Sequence, residues 1–132
     1  SNLKREMDLV RELLLRIESL QLAAGSTVVL HATKEPLAHE GDDPAIIAYH
    51  MGLLMSAGLV DPAEIQYGAD TFIIRGLTWS GHDLLDSIRD PAIWRETKEG
   101  ITKAGGFSFD LLKDLAKGLI KTQIEKHTGV KL

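Results

Sequence analysis

Apolar residues at Leu3, Met7, Val10, Leu14 and Ile17 recur with a 4-3-4-3 spacing, and Leu13 and Leu20 widen the stripe. Arg5, Asp8, Glu12 and Arg16 fall on other faces, so this period predicts one amphipathic helix over residues 3–22. Ala23-Ala24-Gly25-Ser26 interrupts it. The β-branched run Thr27-Val28-Val29-Leu30 reads as a short strand, and the stretch from His31 to Asp43, with Pro36 and Gly41 in it, reads as loop. Asp43-Pro44 then places a capping carboxylate before a proline whose missing N–H costs nothing at the first helical position. The helix that starts there carries Ile46, Ile47, His50, Met51, Leu53, Leu54 and Ala57 on a broad apolar face, and Gly58 sits where a left-handed stop is expected. Leu59-Val60 returns to the core. Ile65-Gln66-Tyr67 and Thr71-Phe72-Ile73-Ile74, joined by Gly68-Ala69-Asp70, predict a β-hairpin.

Beyond the hairpin, Thr78 is placed to cap a helix in which Trp79, Leu84, Leu85 and Ile88 pack inward and Gly81 permits close approach of the hairpin. Asp90-Pro91 repeats the cap-and-proline device ahead of a helix with Ile93, Trp94, Thr97 and Ile101 inward. Gly105-Gly106 breaks that helix. Ser108 is the expected cap of the last one, with Phe107 and Leu112 closing as a hydrophobic staple and Leu112, Leu115, Ala116, Leu119, Ile120 and Ile124 buried. The expectation is an α+β, mostly helical fold in a single domain, residues 1–132. Residues 3–76 form its winged-helix-like core of helix, short strand, helix and β-hairpin, and residues 77–132 are additional C-terminal helices packed on it.

Composition narrows the function classes. With 132 residues, 44% of them hydrophobic and 26% charged, the chain matches a folded globular domain with one core. No apolar run approaches the roughly 20 residues a membrane span needs, and Lys4-Arg5-Glu6 leads into an amphipathic segment rather than a signal peptide. The expected compartment is the cytoplasm, with no membrane partner. The absence of cysteine excludes disulfides, thiolate chemistry and Cys-based zinc sites. Net charge is −4, unevenly spread: Glu35 to Ile74 holds seven acidic residues and no Lys or Arg, whereas Arg95 to Leu132 holds eight basic and five acidic ones.

Several segments carry a resemblance. They are Lys4-Arg5-Glu6-Met7-Asp8-Leu9-Val10-Arg11, then Tyr49-His50-Met51-Gly52-Leu53-Leu54 with Ala57-Gly58-Leu59-Val60, then Leu77-Thr78-Trp79-Ser80-Gly81-His82-Asp83 with Asp86-Ser87-Ile88-Arg89-Asp90, and Ile93-Trp94 with the glycine pair. Together they resemble a family of small bacterial and phage-borne proteins, domain of unknown function 2513. The resemblance implies a winged-helix-like fold and a prophage association; it brings no assigned activity and no functional residues. The segment from Ala32 to Gly41 departs most from that pattern.

Candidate chemistry is sparse. His31, His39, His50 and His82 show no ligand spacing on one helix, so no metal is expected. Ser80-Gly81-His82-Asp83 has the residue types of a hydrolytic triad, but neighbours on one helical turn point apart. Gly105-Gly106 lacks the Lys-Ser/Thr of a phosphate loop. No catalytic residue and no cofactor is expected, and the chain reads as non-enzymatic.

DNA is the partner a winged helix suggests, yet the helix from Pro44 to Ala57 offers only Tyr49, His50 and Ser56 as polar side chains. The hairpin carries Glu64 and Asp70, with Arg75 only at its base, so the acidic centre opposes phosphate. Two other surfaces remain. One is the uncharged central helix with Tyr49, Met51, Gly52, Met55 and Ser56; the other is the ridge of Lys113, Lys117 and Lys121, repeating every four residues and suited to an acidic partner surface such as that of a second copy. The favoured reading is a module acting by protein–protein contact or self-association, possessing a regulatory or accessory role near phage genes, with a DNA-binding transcriptional regulator as the alternative.

Overall fold

The computed structural model describes residues 3–105 and 108–132. In chain order the elements are α1 (Met7–Glu18), β1 (Val28–His31), α2 (Pro44–Ser56), β2 (Val60–Pro62), β3 (Thr71–Leu77), α3 (Trp79–Ile88), α4 (Pro91–Ala104) and α5 (Phe109–Thr128). The expected α+β, mostly helical class is what these elements form. They divide into two compact units, Ser1–His82 and Asp83–Leu132, with the boundary inside α3.

In the first unit the three strands form an antiparallel sheet in the order β1-β3-β2. Leu30 of β1 faces Phe72 of β3, and Ile74 follows two residues on, so alternate side chains of both strands enter the core. Met7, Val10, Leu13, Leu14 and Ile17 of α1 and Ile47, Met51 and Leu54 of α2 complete that core. Each such side chain withdrawn from water contributes about 1.5–3 kcal/mol. α1 is shorter than its apolar period suggests. It ends at Glu18 with Gln21 in the left-handed region at φ 51°, and Leu3 is left exposed.

The hairpin is displaced from its expected place. β3 pairs with Val60–Pro62, not with Ile65–Tyr67, and the register shifts between Asp61 and Pro62. β2 is four residues shorter than β3; beyond it the Ala63 N–H donates to the Ile73 carbonyl at 2.8 Å, and the side chain of Gln66 adds further bonds there. Its Oε1 accepts from the Ile73 N–H at 3.0 Å, while its Nε2 donates to the carbonyls of Ile73 at 2.7 Å and Ala63 at 2.9 Å. Ile65 and Tyr67, which flank this amide, are each 63% exposed.

α2 opens as expected, with Asp43 Oδ1 accepting from the Ala45 N–H at 2.9 Å and Pro44 in the first turn. It closes through Gly58 at φ 73°, which lets the Leu59 N–H reach back to the Leu54 carbonyl at 2.9 Å. The Leu59 carbonyl then accepts from the Thr78 N–H at 3.0 Å, and the Thr78 hydroxyl donates to the Gly58 carbonyl and accepts from the Gly81 N–H at 3.0 Å. Gly81 is buried so tightly against this junction that a Cβ there would lie 2.1 Å from the Leu59 oxygen. Thr78 is thus the cap of α3, as its sequence suggests. Trp79 is not packed inward: it is 88% exposed. The helical period explains why, since Gly81, Leu84, Leu85 and Ile88 share one face whereas Trp79 shares the opposite one with His82, Asp83 and Asp86.

In the second unit, Asp90 caps α4 by accepting from Ala92 and Ile93, both at 2.9 Å, and Ile93, Trp94, Thr97 and Ile101 are buried as expected. Gly105 ends α4 in the left-handed region at φ 81°. Ser108 caps α5 through the Leu111 N–H at 3.3 Å; the staple expected from Phe107 lies outside the described residues. α5 packs along α4 and buries Leu112 and Ala116, but Leu115, Leu119 and Ile120 are only half-buried and Ile124 is exposed. Among the described residues no helix is long and apolar enough to cross a membrane.

Two glycines give opposite expectations. Gly81→Ala drives a methyl group into backbone that cannot retreat and should cost about 3 kcal/mol. Gly52, in the middle of α2, has nothing within 4 Å of its would-be Cβ, so Gly52→Ala should stabilise by about 0.5–1 kcal/mol. Urea denaturation of both variants checks the pair, and equal effects would contradict the packing described.

Candidate functional site

α2 contains no Lys, Arg, Asp or Glu. Of its three polar side chains, two are bonded within the fold. His50 is fully buried; its Nδ1 lies 2.9 Å from the Ile46 carbonyl and its Nε2 accepts from the Glu6 N–H at 2.9 Å. Those two contacts fix the ring as the neutral tautomer with the proton on Nδ1, and they tie the start of α1 to α2. The Ser56 hydroxyl folds back on its own helix, donating to the carbonyls of Gly52 at 3.0 Å and Leu53 at 3.3 Å. Tyr49 is half-buried and sits edge-on to His50, with ring centroids 5.6 Å apart. Gly52 and Ser56 are exposed, Met55 is half-buried, and Met51 lies entirely within the core. The outward side of α2 is therefore small, neutral and almost without hydrogen-bonding groups of its own.

The approach to α2 is acidic. Asp42 holds Arg16 of α1 in an ion pair at 2.9 Å, and the same guanidinium donates to the Leu37 carbonyl at 2.9 Å, pinning the segment between β1 and α2. Asp42 also accepts from the His39 N–H at 2.9 Å. That backbone bond, with the Arg16 contact and the positive charges of Arg16 and His39 added, outweighs partial burial and holds the Asp42 carboxyl below the usual aspartate range. A groove of about 490 Å³ beside it is lined by Glu6, Asp8, Glu12, Asp42 and Asp43. Arg75 of β3 donates to the Pro62 carbonyl at 2.7 Å and lies 3.7 Å from Asp61.

The lysine ridge on α5 is partly neutralised. Lys113 and Lys117 converge on Asp83 at 3.7 and 3.6 Å, and Lys113 lies over the Phe109 ring; Lys121 is exposed. The expected surface residues thus fall in two places, Tyr49, Gly52, Met55 and Ser56 on α2 and the lysines on α5, in different units of the chain. His31 and His82 do not converge with His50, and among the described residues no group of three His or acidic side chains is arranged to hold a metal. Sequence reading missed the Arg16–Asp42–Leu37 clamp, which has no local signature because its members are 21 and 26 residues apart.

With this geometry in place, the comparisons assign the class. The family model described as "Hypothetical protein (DUF2513)" matches residues 4–108, and the chain belongs to that family. An uncharacterized protein of Haemophilus influenzae is 36% identical over 124 residues, spanning 92% of this chain and 99% of the relative. No solved structure matches the chain. The family match ends where α5 begins.

Asp42 supplies a pH test. Its folded-state carboxyl is more acidic than in the unfolded chain, so its contribution is fully present above the unfolded value and is lost as pH falls through the lower folded one. The stability difference between the wild type and Asp42→Asn should be constant near neutrality and shrink below about pH 4. Thermal unfolding of both proteins across that range checks it, and a gap that widens on acidification would contradict the clamp.

Proposed function

We propose that this chain is a non-enzymatic, winged-helix-like module that works by contact with another protein through the outer face of α2. The observation that carries this reading is the chemistry of that face. Thirteen consecutive helical residues offer no charge, and two of the three polar side chains are already bonded within the fold. Charge-depleted, sterically open surface is what protein interfaces bury at their centres. The winged-helix-like reading is supported by the order α1, β1, α2, β2, β3 and the sheet order β1-β3-β2; the segment between β1 and α2 is held by Arg16 rather than formed into a regular helix.

The alternative, a DNA-binding transcriptional regulator, would use α2 in the major groove. Its common base readers are Arg, Lys, Asn and Gln, none of which α2 contains. The entrance to α2, where a phosphate would otherwise meet free N–H groups, carries Asp42 and the capping carboxylate of Asp43. A role near phage genes, suggested by the family resemblance, fits either partner.

Photocrosslinking from a reactive residue placed at position 52 or 56, with position 102 on α4 as control, should give protein adducts specific to the α2 positions. Mobility shift with random duplex at low salt should give no retention. Retention that falls steeply between about 50 and 200 mM salt would reverse the order of the two readings.

A further inference from the structure

The first unit carries a protruding side chain and a recess within one helical turn of each other. Trp79, the first residue of α3, exposes 88% of its surface. Beside it lies a recess of about 290 Å³ whose lining is mixed, with Leu22, Ala23 and Leu77 next to Glu18, Arg75 and His82. Leu77 precedes Trp79 by two residues, and His82 follows it by three on the same face of α3. The indole does not occupy this cavity in its own chain.

We infer that the chain forms a two-fold dimer in which Trp79 of each copy enters the cavity beside Trp79 of the other. The size fits, since an apolar cavity of about 150 Å³ already admits benzene. The chemistry fits an amphipathic ring: Ile17, Leu22, Ala23, Ala24 and Leu77 supply apolar wall, and Glu18, Gln21, Arg75 and His82 supply polar groups, among them acceptors for an indole N–H. The symmetry follows from the placement. A knob and a hole on one patch satisfy each other reciprocally only between two identical copies related by a two-fold axis, which is the isologous arrangement. Tryptophan is also the residue type that most often anchors an interface by filling a pocket. This deepens the protein-contact reading by assigning a second surface and its occupant, separate from the face of α2.

Sedimentation velocity and acrylamide quenching, followed up to about 1 mM protein, test it together. Trp94 is buried, so quenching reads Trp79. The wild type should associate into dimers as quenching falls. Trp79→Ala, which removes an exposed side chain, and Ala23→Phe, which fills the cavity, should each weaken dimerisation on the order of tenfold or more. Gly52→Glu should leave the dimer unchanged while abolishing the α2 crosslinks, so the two surfaces fail independently. A wild type that stays monomeric, a variant at position 79 or 23 that dimerises equally well, or an indole equally quenched in monomer and dimer overturns the inference.

Discussion

The carbonyls of Gly58 and Leu59 are where the first unit is tied together. α2 ends on them, β2 departs from them, and both the backbone and the hydroxyl of Thr78 return to them from the end of β3. The first turn of α3 then passes so close to the Leu59 oxygen that only a residue without a side chain fits at position 81. Because backbone packed at this density cannot yield, the direction of α2 and the position of Trp79 are set by one junction. The same junction thus fixes both the end of α2 and the start of α3, where Trp79 stands.

Electrostatics gives this frame its character. Arg16, which reaches the segment between β1 and α2, is engaged by Asp42 and Leu37, and Arg75 of β3 is turned toward Asp61 and Pro62 of the neighbouring β2. Asp42 is the acidic group at the start of α2 that takes up the Arg16 charge. A surface of this kind repels a polyanion over about a Debye length while leaving short-range apolar contact untouched. The forty positions without Lys or Arg, Glu35 to Ile74, contain all of α2 and β2.

Much of this architecture is legible in the sequence where one local force decides. Asp43-Pro44, Asp90-Pro91, Gly58 and Ser108 mark helix ends through bonds made within three residues, and each stands where expected. Reading failed where a distant partner decided. Ile65-Gln66-Tyr67 alternates like a strand, but Val60–Pro62 reaches β3 first, and the Gln66 side chain takes over the pairing that a longer strand would have made. Trp79 reads as one of the packed residues of α3, yet its spacing to His82, Asp83 and Asp86 places it on the polar side of that helix. As for the candidate surface, the neutrality of α2 is plain in the sequence; that Met51 belongs to the interior and that Ser56 is silenced by its own helix emerges only from packing.

The substitution of a side-chain amide for a strand has a further effect. Open sheet borders are templates on which foreign chains polymerise. Here the β2 side ends in a proline and an irregular register, and beyond it the Ile73 carbonyl accepts from the Ala63 N–H and from Gln66 while the Ile73 N–H donates to Gln66. A growing fibril would find no free ladder rung at that position, so the same amide that completes the fold also seals this border against runaway stacking.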